Sequence, residues 1–141
     1  AWHIPQFLRN LRELRHCRMQ IALDDVGTGY SNYRMMLDVH PDYFKLDSYL
    51  VNGCCADAER RAILGSVLKL ARDFGSAVVA EGVETAEDLE TLLDLGITLL
   101  QGYLFSPPVA VEELGSTRLW QIDPAPWKGT EGVRGLSVLP A

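Results

Sequence analysis

A chain of 141 residues has room for one domain of ordinary size, and its 48% hydrophobic and 23% charged residues exclude a disordered chain. The formal net charge of −6 disfavours general binding to DNA, RNA or an anionic membrane, because an acidic surface repels phosphate. A pocket dressed with metal ions is a different matter: there the local ion outweighs the distant charge, and a small phosphate ligand is still accepted.

In chain order, Phe7, Leu8, Leu11 and Leu14 recur at helical spacing among Arg9, Arg12, Glu13 and Arg15, which predicts an amphipathic helix over 6–16. Residues 19–24 read as a first strand, and 25–31 as an acidic, glycine-rich loop. A short helix over 32–38 carries Met35 and Met36, which read as core packing or a partner surface and not as chemistry. His40-Pro41-Asp42 is a turn. A second strand follows at 43–47, then an amphipathic helix over about 57–74 that Gly75 ends. Residues 77–81 are the third strand. Thr85 is an N-cap for a helix that stops at Gly96, with Asp88 where a capping box would place Glu or Gln. The fourth strand is 97–101. Residues 112–119 offer one more helix. From about 121 the periodicity is lost among Pro124, Pro126, Gly129, Gly132 and Gly135, so 1–119 reads as the domain and 120–141 as a weakly ordered tail. Strands that alternate with helices imply a parallel sheet with right-handed crossovers.

The three cysteines, Cys17, Cys54 and Cys55, are odd in number, and no pair has zinc-finger spacing. They read as mostly inert thiols in a reducing compartment. No apolar run reaches the roughly 18 residues of a membrane span, and the start shows no signal peptide. The expectation is a cytoplasmic segment without membrane contact, although a parent protein could be anchored through another domain. Ala1 in place of Met suggests a fragment or a processed chain.

Each strand ends in a polar group that a core cannot use. The first ends in Asp24-Asp25, the second in Lys45-Leu46-Asp47, the third in Glu81 with Glu84 beyond it, and the fourth in Gln101. In a parallel α/β sheet or barrel these ends share one face. Taken singly, each has a plain structural reading: the two Asp residues as turn formers or caps, Lys45 as an ion-pair partner, Glu81 as a cap. Four in succession point instead to a shared site. Adjacent acids suit one or two hard divalent cations, Mg2+ or Mn2+. Lys45 can hold a water or a phosphate oxygen as a point charge. Glu81 is a metal ligand or a general base. Gln101 can orient a water or a ligand. His3, His16 and His40 do not converge, and they read as surface or turn residues.

With those residues assembled, the chain resembles the EAL domain family of cyclic-di-GMP phosphodiesterases. The resemblance lies in Ala22-Leu23-Asp24-Asp25-Val26-Gly27-Thr28-Gly29-Tyr30-Ser31, then Lys45-Leu46-Asp47, then Val78-Val79-Ala80-Glu81-Gly82-Val83-Glu84-Thr85, then Gln101-Gly102-Tyr103-Leu104-Phe105-Ser106. It covers about residues 5–110, which correspond to roughly the C-terminal half of the family's domain. It implies a partial TIM-type barrel, about four parallel strands with outer helices. It also implies hydrolysis of cyclic di-GMP to pGpG with Mg2+ or Mn2+. By the same resemblance Asp24 and Asp25 bind metal, Lys45 holds a water near the metals, and Glu81 is the general base. Asp47, Glu84 and Gln101 support the site, and the loop with Gly27, Thr28, Gly29, Tyr30 and Ser31 links dimerisation to it.

The chain also departs from the family. The Glu-Ala-Leu signature and two earlier metal ligands are absent, Val26 stands where Phe is usual, and Pro107 where a basic residue is common. The resemblance therefore implies part of a phosphodiesterase, inactive alone. The alternatives are a degenerate module that binds cyclic di-GMP without cutting it, or one that binds a protein partner. Half a barrel has open edges, so either a homodimer or the missing N-terminal half is expected to cover them.

Overall fold

A computed structural model describes residues 4–27 and 33–113. Thr28, Gly29, Tyr30 and Ser31 lie outside the described residues. So does the tail from 120, and of the expected helix at 112–119 only the start is described, within a 3-10 turn at Val111–Glu113.

The elements are α1 (Ile4–His16), β1 (Ala22–Val26), α2 (Tyr33–Val39), β2 (Tyr43–Leu46), α3 (Ser48–Val51), α4 (Ala58–Phe74), β3 (Ala77–Ala80), α5 (Ala86–Asp94) and β4 (Leu99–Leu100). All strand pairs are parallel, in the order β1-β2-β3-β4. Because the order never reverses, right-handed crossovers put the helices that connect the strands on the same side of the sheet. The core lies between them. Leu23, Phe44, Leu46, Val78, Ala80 and Leu100 of the strands pack with Leu50, Val51, Leu64, Ala71, Leu89 and Leu92 of the helices. This is the arrangement of one arc of a (β/α) barrel, as expected.

Local chemistry sets the boundaries. Asp57 caps α4 by accepting hydrogen bonds from the Glu59 and Arg60 amides at 2.9 and 3.1 Å, and Gly75 closes it in the left-handed conformation. Thr85 caps α5 through the Asp88 amide. Two strands are shorter at their start than the pattern suggests. Residues 17–19 turn back onto the carbonyls of Glu13, Arg15 and Leu14, so they finish α1 and do not open β1. Likewise the Ile97 amide bonds to Leu92 and belongs to the end of α5, so β4 is only Leu99–Leu100. Helix α3 was not expected, because four residues are too few to show a period. Its signal is Asp47, whose carboxylate accepts from the Tyr49 amide at 2.7 Å.

Asp88 is the one buried charged or polar residue among the described residues. Its carboxylate accepts from the Gly53 and Cys55 amides, each at 3.0 Å, and from the Thr85 hydroxyl at 2.9 Å. Burial alone would push this carboxyl up. The two amides and the hydroxyl outweigh it and hold the group down at about 2. Asp88 thus ties α5 to the α3–α4 connection. Nearby Cys54 is buried and its thiol is pushed up to about 12, first by burial and then by Asp88, which suits an inert thiol.

Candidate active site at the strand ends

The site begins with a break in strand periodicity. Leu23 pairs with Phe44 and Val26 with Leu46, so two residues of β1, Asp24 and Asp25, stand opposite the single residue Lys45 of β2. This is a β-bulge. Without it, alternation would turn Asp25 onto Leu23's side, into the core. With it, Leu23 and Val26 are both buried while Asp24 and Asp25 are both exposed. Asp25 takes the extra residue's conformation at φ 54°, in the left-handed region that Asp tolerates better than most residues. The signal was in the sequence: apolar residues three apart in a strand cannot both face a core without an inserted residue.

Lys45 extends from the middle strand between two acids. Its Nζ lies 2.9 Å from Asp24 Oδ1 and 2.8 Å from Glu81 Oε1. Three consecutive strands therefore meet at one ammonium. Lys45 and Glu81 are partly buried, at 28% and 22% side-chain exposure, whereas Asp24 is open at 62%. The hydrogen bond and charge of Lys45 hold the Asp24 carboxyl below its usual range, against a smaller opposing effect of burial. For Lys45 burial works against the charge, but its bonds to Glu81 and Asp24 together prevail and raise it.

The other expected residues sit around this cluster without joining it. Asp47 follows β2 and its carboxylate is engaged in capping α3. Glu84 is exposed beyond Val83. Gln101 is held by its backbone, donating to the Ala80 carbonyl at 2.8 Å and accepting from the Val83 amide at 3.0 Å, with an exposed side chain. Gly27 follows β1 at φ 110°, and a Cβ there would overlap the Leu50 side chain of α3. Sequence reasoning missed Gly82. At φ 68° its α-carbon passes so close to α3 that a Cβ would stand 2.6 Å from that of Ser48. This contact presses the β3–α5 connection, just beyond Glu81, against the helix that follows Lys45.

Carboxylate oxygens of Asp24 and Glu81 already flank a cationic group, and oxygen donors of this kind are what a hard divalent cation prefers. Among the described residues no three His, Cys, Asp or Glu side chains gather closely enough to hold an ion by themselves. No helix among the described residues is long and apolar enough to cross a membrane.

The EAL domain model matches residues 3–108, and the chain belongs to the EAL domain family. It is 49% identical over 94 residues to Probable cyclic di-GMP phosphodiesterase PdeG of Escherichia coli, and 41% over 96 residues to Cyclic di-GMP phosphodiesterase PdeL of the same organism. Those matches take in 67% and 68% of this chain but only 18% and 26% of the relatives. Among solved structures, the Klebsiella pneumoniae BlrP1 manganese and cyclic di-GMP complex aligns with a TM-score of 0.68 at 42% identity, over 72% of this chain and 26% of that one. The EAL domain of Mycobacterium smegmatis DcpA aligns at 0.77 and 34%, over 82% of this chain and 52% of that one.

Proposed function

We propose that the chain forms part of a cyclic-di-GMP phosphodiesterase that hydrolyses its substrate to pGpG with Mg2+ or Mn2+. The observation that carries this reading is the convergence of Asp24, Lys45 and Glu81 from three consecutive strand ends. Relatives bearing the activity in their names and a manganese-bound structure support it. Asp24 and Asp25 would hold the metal, and Glu81, which shares the Lys45 ammonium with Asp24, would be a further ligand or the base. When bound, one or two such ions supply Lewis acidity at a phosphoryl oxygen and make a water more acidic.

The chain's own groups then divide the work. Glu81 accepts the proton of the attacking water at its carboxylate. Lys45 holds a water or a phosphate oxygen through its ammonium, a point charge on a flexible stem. Gln101 orients the ligand or the water by hydrogen bonds, and Asp47 and Glu84 support the rim. The loop from Gly27 to Ser31 links the site to a dimer partner. The protein works in the cytoplasm. Since the chain spans a minor part of its relatives, it needs the remainder of a barrel, or a second copy, to act. The test is formation of linear pGpG from cyclic di-GMP with Mg2+ or Mn2+, by the protein that carries this chain and by the chain alone. Binding without product would replace this reading with that of a degenerate sensing module. Turnover by the chain alone would show that its own carboxylates suffice.

A further inference from the structure

We propose that Lys45 is a resident counter-ion of the carboxylate cluster, and that a divalent cation must displace its ammonium in order to load. The inference rests on the metal-dependent reading above. Asp24 stands on β1 and Glu81 just beyond the end of β3, with β2 between the two strands. The two carboxylates nevertheless converge on one point, since a single nitrogen touches an oxygen of each. Lys45 occupies that point, touching Asp24 Oδ1 at 2.9 Å and Glu81 Oε1 at 2.8 Å.

A cation that took the same oxygens would bind at about 2.0–2.6 Å from each. It would then lie against the ammonium, like charge on like charge, in a site that is partly shielded from water. The two cannot share those oxygens. Lysine's four-carbon stem lets the ammonium swing away without moving the strand. Loading therefore couples to a Lys45 movement, which frees the ammonium for a water or a phosphate oxygen. Unloaded, the same contact offsets part of the cluster's negative charge and holds three strand ends together.

The experiment measures Mn2+ binding to the full chain by calorimetry and by the electron paramagnetic resonance of the free ion. Wild type is compared with Lys45→Met and Asp24→Asn. Lys45→Met keeps the apolar stem and removes the competing charge, so its Mn2+ affinity should rise about tenfold or more, the effect of one pKa unit of charge interaction. Asp24→Asn should lose affinity. A second measurement needs no variant: the Lys45 side-chain ammonium is followed by NMR as Mg2+ is added to wild type. Its signal should move in step with that of the Asp24 carboxylate.

Binding by Lys45→Met where wild type shows none supports displacement most directly. Equal or weaker binding by the variant overturns it, as does the absence of Mn2+ binding in both proteins. If Lys45→Met does not fold, the NMR titration decides: an ammonium signal that stays fixed while Mg2+ saturates Asp24 overturns the proposal. The phosphodiesterase assay is separate. Tighter Mn2+ binding by Lys45→Met beside a parent that makes no pGpG would sink the proposed activity and leave the displacement standing. The converse result would do the opposite.

Discussion

At the residue scale, Asp24, Lys45 and Glu81 meet at one ammonium but are expected to fail in different ways when replaced. Asp24→Asn removes a negative ligand, so phosphodiesterase activity of the protein carrying this chain should drop and excess Mn2+ should partly restore it. Glu81→Gln keeps the shape and removes the base; its rate should fall by on the order of 10²–10⁴-fold, and added metal should not recover it. Lys45→Ala should lose turnover more than substrate affinity, because it loses a positioned group. Rates and KM for pGpG formation across a Mn2+ series separate the three, and wild-type turnover by the Glu81 variant would remove that residue from the mechanism. Gly82 gives a prediction about stability. An alanine there meets both a left-handed φ of 68° and the Ser48 Cβ at 2.6 Å. Gly82→Ala should cost about 1–3 kcal/mol, read as a lower denaturant midpoint.

At the element scale, α5 is held at its start by two groups. Thr85→Ala removes the N-cap and should cost roughly 1 kcal/mol of stability by chemical denaturation. Asp88 contributes more, because its carboxylate joins α5 to the α3–α4 connection. Its carboxyl is held at about 2, below the unfolded value of 3.8. Folding is therefore favoured by this group when it is ionised. That stability, about 2 kcal/mol, is fully present above pH 3.8 and is lost as the pH falls through about 2. Unfolding midpoints between pH 5 and pH 2 should drop for wild type, and drop less for Asp88→Ala. Parallel loss in both proteins would show that other carboxyls dominate the acid response.

At the scale of the whole molecule, the helices cover one face of the four-stranded sheet, and β1 and β4 stand at its edges. Exposed backbone at a sheet edge invites pairing. The chain by itself should associate with a second copy, or with the rest of a barrel when that is supplied. Sedimentation velocity over a concentration series should show mass above 15.7 kDa that falls on dilution. A stable monomer at every concentration would count against it.

The sequence by itself determined the order of the strands and the longer helices, because alternating strand and helix patterns with Thr85, Gly75 and Gly96 as punctuation leave few parallel folds open. It also brought Asp24, Lys45 and Glu81 to one face, since parallel strands put their ends together. Only the tertiary structure decided how those side chains meet. Whether Lys45 reaches both acids depends on register: the bulge at Asp24 and Asp25 sets how β1 pairs with β2, and this is a property of two strands together. The assignment of Asp47 to a cap and the seating of Gly82 against Ser48 depend on α3, four residues with no period of their own. Periodicity reports what a segment buries, whereas contacts across the strand ends are set by how segments pack, and that information is not local.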